Sequence, residues 1–303
     1  MRSSASSSPR SLANLFPGCP AGSWLCLLLA WPTLACGSQF TDPILSELSP
    51  APSASNPPAT QSPGAGGQPA EAPANPPGGS PSPACVDTFV ARFDGSVFAS
   101  TPRLIQDDFT IEAWLATTVS PSGNGFDDGS ALVFADVEKV GTDDFGLALL
   151  SSRVVMSIGA PDTAATSTSS VATGEWAHVA VTRAKATGLV LIFVNGVLEA
   201  SVTASTRRLA GNPTLSIGGR PGRNLYVGLL SELRLWTTVR SQAELLGSMR
   251  QRLTGEEAGL VGYYRLDASE GTSAVDSSPS HNDAAFTGPV TWEQAPVPLC
   301  AAP

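Results

Sequence analysis

The clearest structural signal in the sequence is WAHVAVT at residues 176–182, followed by LVLIFV at 189–194, Asn195-Gly196, and VLEASV at 197–202. All three runs are rich in β-branched residues, which favour strands. An Asn-Gly pair between two such runs is a strong hairpin signal, because both central residues of a type I′ turn need a positive φ. The stretch therefore predicts a strand followed by a β-hairpin.

Similar runs recur along the rest of the chain, separated by Gly, Asp, Asn, Ser and Pro. They predict further strands at 109–115, 145–150, 154–158, 214–217, 226–235 and 260–266. A helical pattern occurs at 241–252, where Ser241 is a candidate N-cap and Ala243, Leu245, Leu246 and Met249 recur at helical spacing. Many antiparallel strands with one short helix predict an all-β fold, a two-sheet sandwich or jelly roll.

The composition of the 303-residue chain is uneven, and strand and helix patterns are sparse before Cys85. We therefore expect one folded domain, residues 85–300. The net charge of −9 and pI of 4.7 disfavour nucleic acid as a partner, because an acidic surface repels phosphates. Charged residues make up only 14% of the chain, which is typical of an extracellular β protein.

Residues 1–35 are predicted to be an export signal. Arg2 and Arg10 precede the apolar run 24–31, which is too short to span a bilayer and is typical of a signal-peptide h-region. The segment Thr33-Leu34-Ala35-Cys36 resembles a bacterial lipobox, although Thr33 stands where Leu is usual. It predicts lipidation at Cys36 and a membrane anchor. Ordinary cleavage after Ala35 without a lipid is the alternative.

Residues 36–84 are dominated by Pro, Ala, Gly and Ser. Such a segment cannot bury enough apolar surface to offset its ordering entropy, and its prolines favour extended polyproline II stretches. The sequence therefore predicts a disordered tether between the anchor and the domain, with a disordered segment of no function as the alternative. Together these features predict an exported protein of a bacterial cell envelope, anchored at the outer membrane or extracellular.

Two of the five cysteines, Cys85 and Cys300, stand at the two ends of the expected domain. A sandwich whose first and last strands are neighbours would bring them together, so we predict a disulfide between them. Two unpaired thiols are the alternative.

Nine short motifs occur in a consistent order through the domain, and together they resemble laminin-G-like domains of the concanavalin A-like jelly-roll type. They are FDG at 93–95, FTIEAW at 109–114, WAHVAVTR at 176–183, VNG at 194–196, SIGG at 216–219, GLLSELRLW at 228–236, AEL at 243–245, GYYRLD at 262–267 and DSS at 276–278. The resemblance covers nearly all of residues 85–300. It implies a sandwich of two antiparallel sheets and a ligand-binding or adhesive role.

The same resemblance implies a calcium ion, which takes several hard oxygen ligands. The residues that match the loop positions of the family are Asp94, Asp276, Asn282 and Asp283. Pro279 and Ser280 stand where the family usually has glycines. Asp127-Asp128 and Asp143-Asp144 are further acidic loop pairs, and turn formation is the alternative role for all these residues.

No catalytic residue is predicted. The chain has only two histidines, too few for a multi-histidine zinc site, and His178 is interpreted as a structural histidine. Glycoside hydrolases of the related fold use Glu-x-Asp-x-x-Glu, and the nearest match here is Asp136-Val137-Glu138. The acidic residues at family positions, Glu112, Glu232 and Glu244, are interpreted as turn and edge hydrogen-bonding groups.

The sequence as a whole predicts a surface-tethered binding or adhesion module, not an enzyme, whose ligand is a carbohydrate or an extracellular protein. The alternatives are a structural envelope protein without a small ligand and, less favoured, a glycoside hydrolase.

Overall fold

The computed structural model of the chain describes residues 85–137 and 142–300, and side chains between 87 and 299 within those ranges. The predicted signal peptide, Cys36, the tether and Glu138 lie outside the described residues. The described residues form sixteen strands: β1 (Cys85–Asp94), β2 (Ala99–Pro102), β3 (Phe109–Ala116), β4 (Ser130–Phe134), β5 (Phe145–Leu150), β6 (Arg153–Ile158), β7 (Thr163–Thr166), β8 (Ala177–Ala184), β9 (Leu189–Val194), β10 (Val197–Thr203), β11 (Thr214–Ile217), β12 (Val227–Trp236), β13 (Leu260–Tyr264), β14 (Ser273–Ala274), β15 (Ala284–Phe286) and β16 (Thr291–Cys300). They also form one α-helix, α1 (Gln242–Ser248), and a short 3-10 helix, Phe126–Asp128.

The strands form two sheets, and neighbouring strands run antiparallel. Sheet A has the order β10-β9-β8-β3-β12-β1-β16, and β13 pairs with the C-terminal part of β12. Sheet B has the order β14-β15-β2-β11-β4-β5-β6-β7. The predicted all-β class, a two-sheet antiparallel sandwich with one short helix, is confirmed.

The core between the sheets follows from the period-two alternation of strand side chains. In β3, Phe109, Ile111 and Leu115 are fully buried against sheet B side chains such as Leu147 and Leu149. The residues between them, such as Glu112, face the outer side of sheet A and are buried as well. Sheet A is therefore covered on both faces, by sheet B inside and by α1 and the segment after it outside.

The predicted hairpin is confirmed at β9 and β10. Asn195 and Gly196 have φ angles of 50° and 77°, as a type I′ turn requires. The Asn195 side chain also accepts a hydrogen bond from the backbone N–H of His178, at 2.9 Å. The turn is thus tied to β8, so the motif that predicted the hairpin also fixes its position on the sheet.

The helix begins as predicted and ends early. Ser241 and Glu244 form a capping box, in which the Ser241 hydroxyl accepts from the Glu244 backbone N–H and the Glu244 carboxylate accepts from the Ser241 N–H at 2.7 Å. Of the four predicted apolar positions, only Leu245 and Met249 are buried. Among the described residues, no helix is long and apolar enough to cross a membrane.

The predicted end of the helix at residue 252 is wrong, because α1 stops at Ser248. Buried side chains of sheet A hold the carbonyls that follow. The Trp114 indole N–H donates to the Met249 carbonyl at 2.7 Å. The Arg234 guanidinium donates to the Ser248 carbonyl at 3.2 Å and to the Gln251 carbonyl at 2.5 Å. These carbonyls bond to side chains of sheet A instead of continuing the helix, so the segment after α1 packs on the sheet.

The two ends of the domain pair with each other. β1 and β16 are neighbours in sheet A, and the register places Cys85 opposite Cys300. The side chains of these two cysteines lie outside the described residues, so the disulfide stays a prediction.

Candidate functional site

A buried ion cluster lies on the outer face of sheet A, beneath the segment that follows α1. It consists of Glu112, His178, Glu232 and Arg234, each of which is at most 1% exposed. One oxygen of Glu112 lies 3.1 Å from His178 Nε2, and the other accepts a 2.9 Å bond from the Trp236 indole N–H. Arg234 lies 2.8 Å from Glu232 and 3.8 Å from Glu112.

The charges of the buried ion cluster stabilise one another. Burial raises the pKa of Glu112, but the hydrogen bond with His178 and the positive charge of Arg234 outweigh it and hold that pKa below its usual value. The carboxylate is therefore charged at neutral pH. Because the cluster is closed to solvent, it offers no surface to a substrate, and its role is to fasten β3, β8 and β12 together.

The cluster confirms one interpretation and corrects another. His178 is a structural histidine, as the sequence indicated. Glu112 and Glu232 are not turn or edge groups, because they lie at the centre of sheet A and are fully buried. Only Glu244 has the expected local role, as part of the helix cap.

The predicted calcium ligand Asp94 lies exposed at the end of β1. Its carboxylate accepts hydrogen bonds from the backbone N–H of Ser96 at 2.8 Å and from the Ser96 hydroxyl at 2.6 Å. This is the turn-forming arrangement that the sequence left open as the alternative.

The other three predicted ligands are brought together, but by hydrogen bonds among themselves. Asp276 is 1% exposed, and its carboxylate accepts from the backbone N–H groups of Tyr263, Ser278 and Asn282 at 2.8–2.9 Å. Asp283 in turn accepts from the Asp276 N–H at 2.8 Å. Among the described residues, no group of three or more His, Cys, Asp or Glu side chains could hold a metal. Calcium binding stays a prediction.

An open groove lies on the outer face of sheet B, where β2, β4 and β11 meet the loop at 220–221. We call it the sheet B groove. Its volume is about 280 Å³, near the lower end of the range for small-ligand sites. Its polar and apolar walls include Phe98, Ser100, Asn212, Thr214, Ser216 and Pro221.

Phe134 and Arg220 line one side of the groove, and Phe126, which does not line it, stacks on Phe134. Phe126 and Phe134 are parallel to within 6°, with ring centroids 5.3 Å apart. Arg220 lies 4.2 Å from the Phe134 centroid, which is a close cation–π contact. Its guanidinium also pairs with Asp127 at 3.1 Å and Asp136 at 3.0 Å. These contacts restrain the position of the Arg220 guanidinium over the Phe134 ring.

A family model for the concanavalin A-like lectin/glucanases superfamily matches residues 93–246, just over half of the chain. The chain belongs to this superfamily. The match confirms the family to which the ordered motifs pointed. A comparison with curated protein sequences found no match.

Two solved structures illustrate what the chain is similar to. A candidate carbohydrate-binding protein from Bacteroides ovatus is 21% identical with a TM-score of 0.54, over 71% of this chain and 62% of that one. Domains LG4-5 of mouse laminin α1 are 21% identical with a TM-score of 0.41, over 50% of this chain and 41% of theirs. This chain thus spans less than two thirds of either structure, and the likeness to the Bacteroides ovatus protein shows the fold alone.

The sequence did not identify most residues of the sheet B groove or of the ring stack beside it. Asp127 was noted as an acidic loop residue, but its partner Arg220 lies 93 positions away along the chain. Phe126 and Phe134 belong to a stretch between predicted strands. One signal could have found the stack: Gly146 has no side chain, and a Cβ there would overlap both rings.

A buried carboxyl lies behind the groove. Asp144 is 6% exposed and accepts a 3.1 Å hydrogen bond from the backbone N–H of Val137, a groove residue. Burial raises the pKa of Asp144 to about 6, and the negative charge of Asp136 adds to the shift. In the unfolded chain the pKa of the same carboxyl is about 3.9.

This shift predicts that the domain loses stability as pH rises from about 4 to about 6, because the folded state binds the proton more tightly than the unfolded state in that window. Asp144→Asn should reduce the dependence of the melting temperature on pH across this window. It should also raise the melting temperature at pH 7, by roughly 2–4 °C for each kcal/mol recovered. The measurement is a thermal melt at a series of pH values. Asp87→Asn, at an exposed position, is the control, and an unchanged profile in Asp144→Asn would contradict the prediction.

Proposed function

We propose that this protein is an exported, surface-tethered module without catalytic activity, and that it binds carbohydrate in the sheet B groove. The observation that carries the proposal is the groove itself, an open concavity with hydroxyl and amide groups beside apolar side chains and a fixed guanidinium. Ligand sites typically combine an apolar lining with a few placed polar groups, which suits the mixed surface of a sugar ring.

The polar groups of the groove are arranged by strand pairing. The antiparallel register of β2 and β11 sets Ser100 opposite Ser216, and Thr214 stands two residues from Ser216 on the same face. The Asn212 side chain accepts from the Thr214 hydroxyl at 2.9 Å and donates to the Asp136 carbonyl at 3.0 Å. The hydroxyls of a sugar ring both donate and accept, so they are complementary to this row of polar side chains from Ser100, Asn212, Thr214 and Ser216.

Apolar contact completes the proposed site. Phe98 is half-buried and lines the groove opposite the polar row, so part of its surface is available to the apolar face of a sugar. The described part of the chain offers no comparable access to the buried ion cluster, which supports a binding role over hydrolysis.

The proposal extends to how the module is held. The signal-like residues 1–35, the lipobox-like Cys36 and the Pro-rich segment 36–84 support export to a bacterial envelope and attachment to a membrane by lipid. Calcium is proposed as a structural ion rather than as part of the groove, since its predicted ligands are not groove residues.

We expect Thr214→Trp to weaken glycan binding, because an indole at this exposed position on β11 would fill the sheet B groove. The mature protein and the variant would be compared on a glycan array, and the hits quantified by calorimetry. The affinity should fall at least about 10-fold, equivalent to about 1.4 kcal/mol.

Thr203→Trp is the matched control, because Thr203 is an exposed strand threonine on β10 in the other sheet. It should bind as the unsubstituted protein does. The proposal fails if no glycan binds at high protein concentration, which would favour a protein ligand or a structural role, or if Thr214→Trp binds normally.

A further inference from the structure

We infer a second sugar-binding site, the edge pocket, at the open edge of the sandwich. β16 is the last strand of sheet A and β14 the last strand of sheet B, and residues from both line one pocket of about 280 Å³. At the opposite edge, β7 and β10 contact each other and close the sandwich. The inference rests on the proposed function for its class of ligand.

Two hydrogen-bond donors at the edge pocket lack acceptors. Trp292 Nε1 and Arg265 Nε are buried and have no hydrogen-bond partner among residues 85–137 and 142–300, and both residues line the pocket. A buried donor without an acceptor is destabilising, so such groups are few in folded proteins. Ligand oxygens that reached these two donors would satisfy them.

Trp292 packs against the core and also brings a buried N–H to the pocket. Its ring contacts Phe286 edge to face, with centroids 6.1 Å apart at 79°, and phenylalanine could make the same contact without burying an N–H. An aromatic ring with a polar edge is typical of surfaces that bind amphipathic ligands.

The remaining lining indicates a neutral ligand. Asp267 places a carboxylate beside Arg265, while Ser273 and Ser277 add hydroxyls that both donate and accept. Asp267 also pairs with Arg252 at 2.7 Å, and Arg252 lies 3.6 Å from the Glu232 carboxylate, so charges of both signs surround the pocket. A neutral pyranose matches this mixture of donors and acceptors better than a carboxylate or a phosphate does.

Access to the two donors requires a small movement of the wall. Val275 lines the pocket and is 60% exposed, so its side chain can rotate without disturbing the core. We infer that such movement gives a sugar hydroxyl access to the two buried donors. A weak site is expected, with a Kd of about 1 mM, because the pocket fits one sugar ring.

The test follows the indole N–H resonances of the mature protein by nitrogen–proton correlation spectroscopy. The Trp292 resonance is assigned by its loss in Trp292→Phe, and the Trp176 resonance by its loss in Trp176→Phe. Glucose, galactose, mannose and N-acetylglucosamine are then titrated separately, with galacturonate as the acidic comparison. We expect one neutral sugar to shift the Trp292 resonance saturably and to leave the Trp176 resonance unmoved.

Variants separate this site from the sheet B groove. The Trp292 response should persist in Thr214→Trp and weaken about 10-fold in Arg265→Gln, which removes a charged donor. The inference is overturned if no sugar moves the Trp292 resonance, if galacturonate binds more tightly than every neutral sugar, or if Thr214→Trp removes the response. Glycan binding on the array without a Trp292 response would overturn the edge pocket and leave the proposed function standing.

Discussion

Replacing Glu112 by glutamine should lower the free energy of unfolding by about 3–5 kcal/mol, the cost of breaking a buried ion pair. The glutamine keeps the shape of the side chain but loses the charge that faces Arg234 and accepts from both His178 and Trp236. It also directs an amide N–H₂ group at one of these donors. Arg234 would then be buried with only Glu232 to balance it.

Urea unfolding at pH 7, followed by tryptophan fluorescence, measures this change. Glu175→Gln is the matched control, because Glu175 is exposed in a loop and should shift the stability by less than about 0.5 kcal/mol. Should Glu112→Gln not fold, the double variant Glu112→Gln, Arg234→Met is informative. It should be more stable than the single variant, because the unbalanced cation is gone. A loss below about 1 kcal/mol in the single variant would contradict the assigned role of the cluster.

The fold could be predicted from sequence because most of its strands carry their signal locally. β8, β9 and β10 combine β-branched residues with a turn that the Asn195-Gly196 pair strongly favours. β16 was missed because Pro296 and Pro298 argue against a strand. Since β16 is an edge strand, its prolines cost few ladder hydrogen bonds, and only the assembled sheet reveals that.

The candidate site could not be predicted to the same extent, because it depends on distant pairs. The sheet B groove takes side chains from three strands and the loops beside them, and no local pattern identifies Arg220 as the partner of Phe134. Local patterns were also ambiguous for Asp276. A loop aspartate is equally typical of a calcium ligand and of a backbone-capping group, and the three N–H donors around it become visible only in the fold.

The sheet register supports the predicted Cys85–Cys300 disulfide. We expect removal of this disulfide to lower the stability of the domain strongly. The ladder pairs Cys85 with Cys300 beside a register shift between Cys85 and Val86. Paired residues of an antiparallel ladder have Cα atoms about 4.5–5.5 Å apart, which lies within the range for a disulfide. Such a bond would close nearly the whole domain into one loop and restrict the unfolded chain. Replacing both cysteines by serine should therefore lower the stability by about 2–4 kcal/mol and the melting temperature by roughly 5–15 °C.

The measurement compares thermal melts of the oxidised protein, the reduced protein and the variants. Cys85→Ser, Cys300→Ser and the double variant should melt together, because one lost sulfur breaks the bond as fully as two. Reductant should lower the melting temperature of the unsubstituted protein to theirs and leave the variants unchanged. Alkylation of both thiols without reductant would show that β1 and β16 are joined by their ladder alone, and the closure of the sandwich would then depend on hydrogen bonds and packing at its terminal strands.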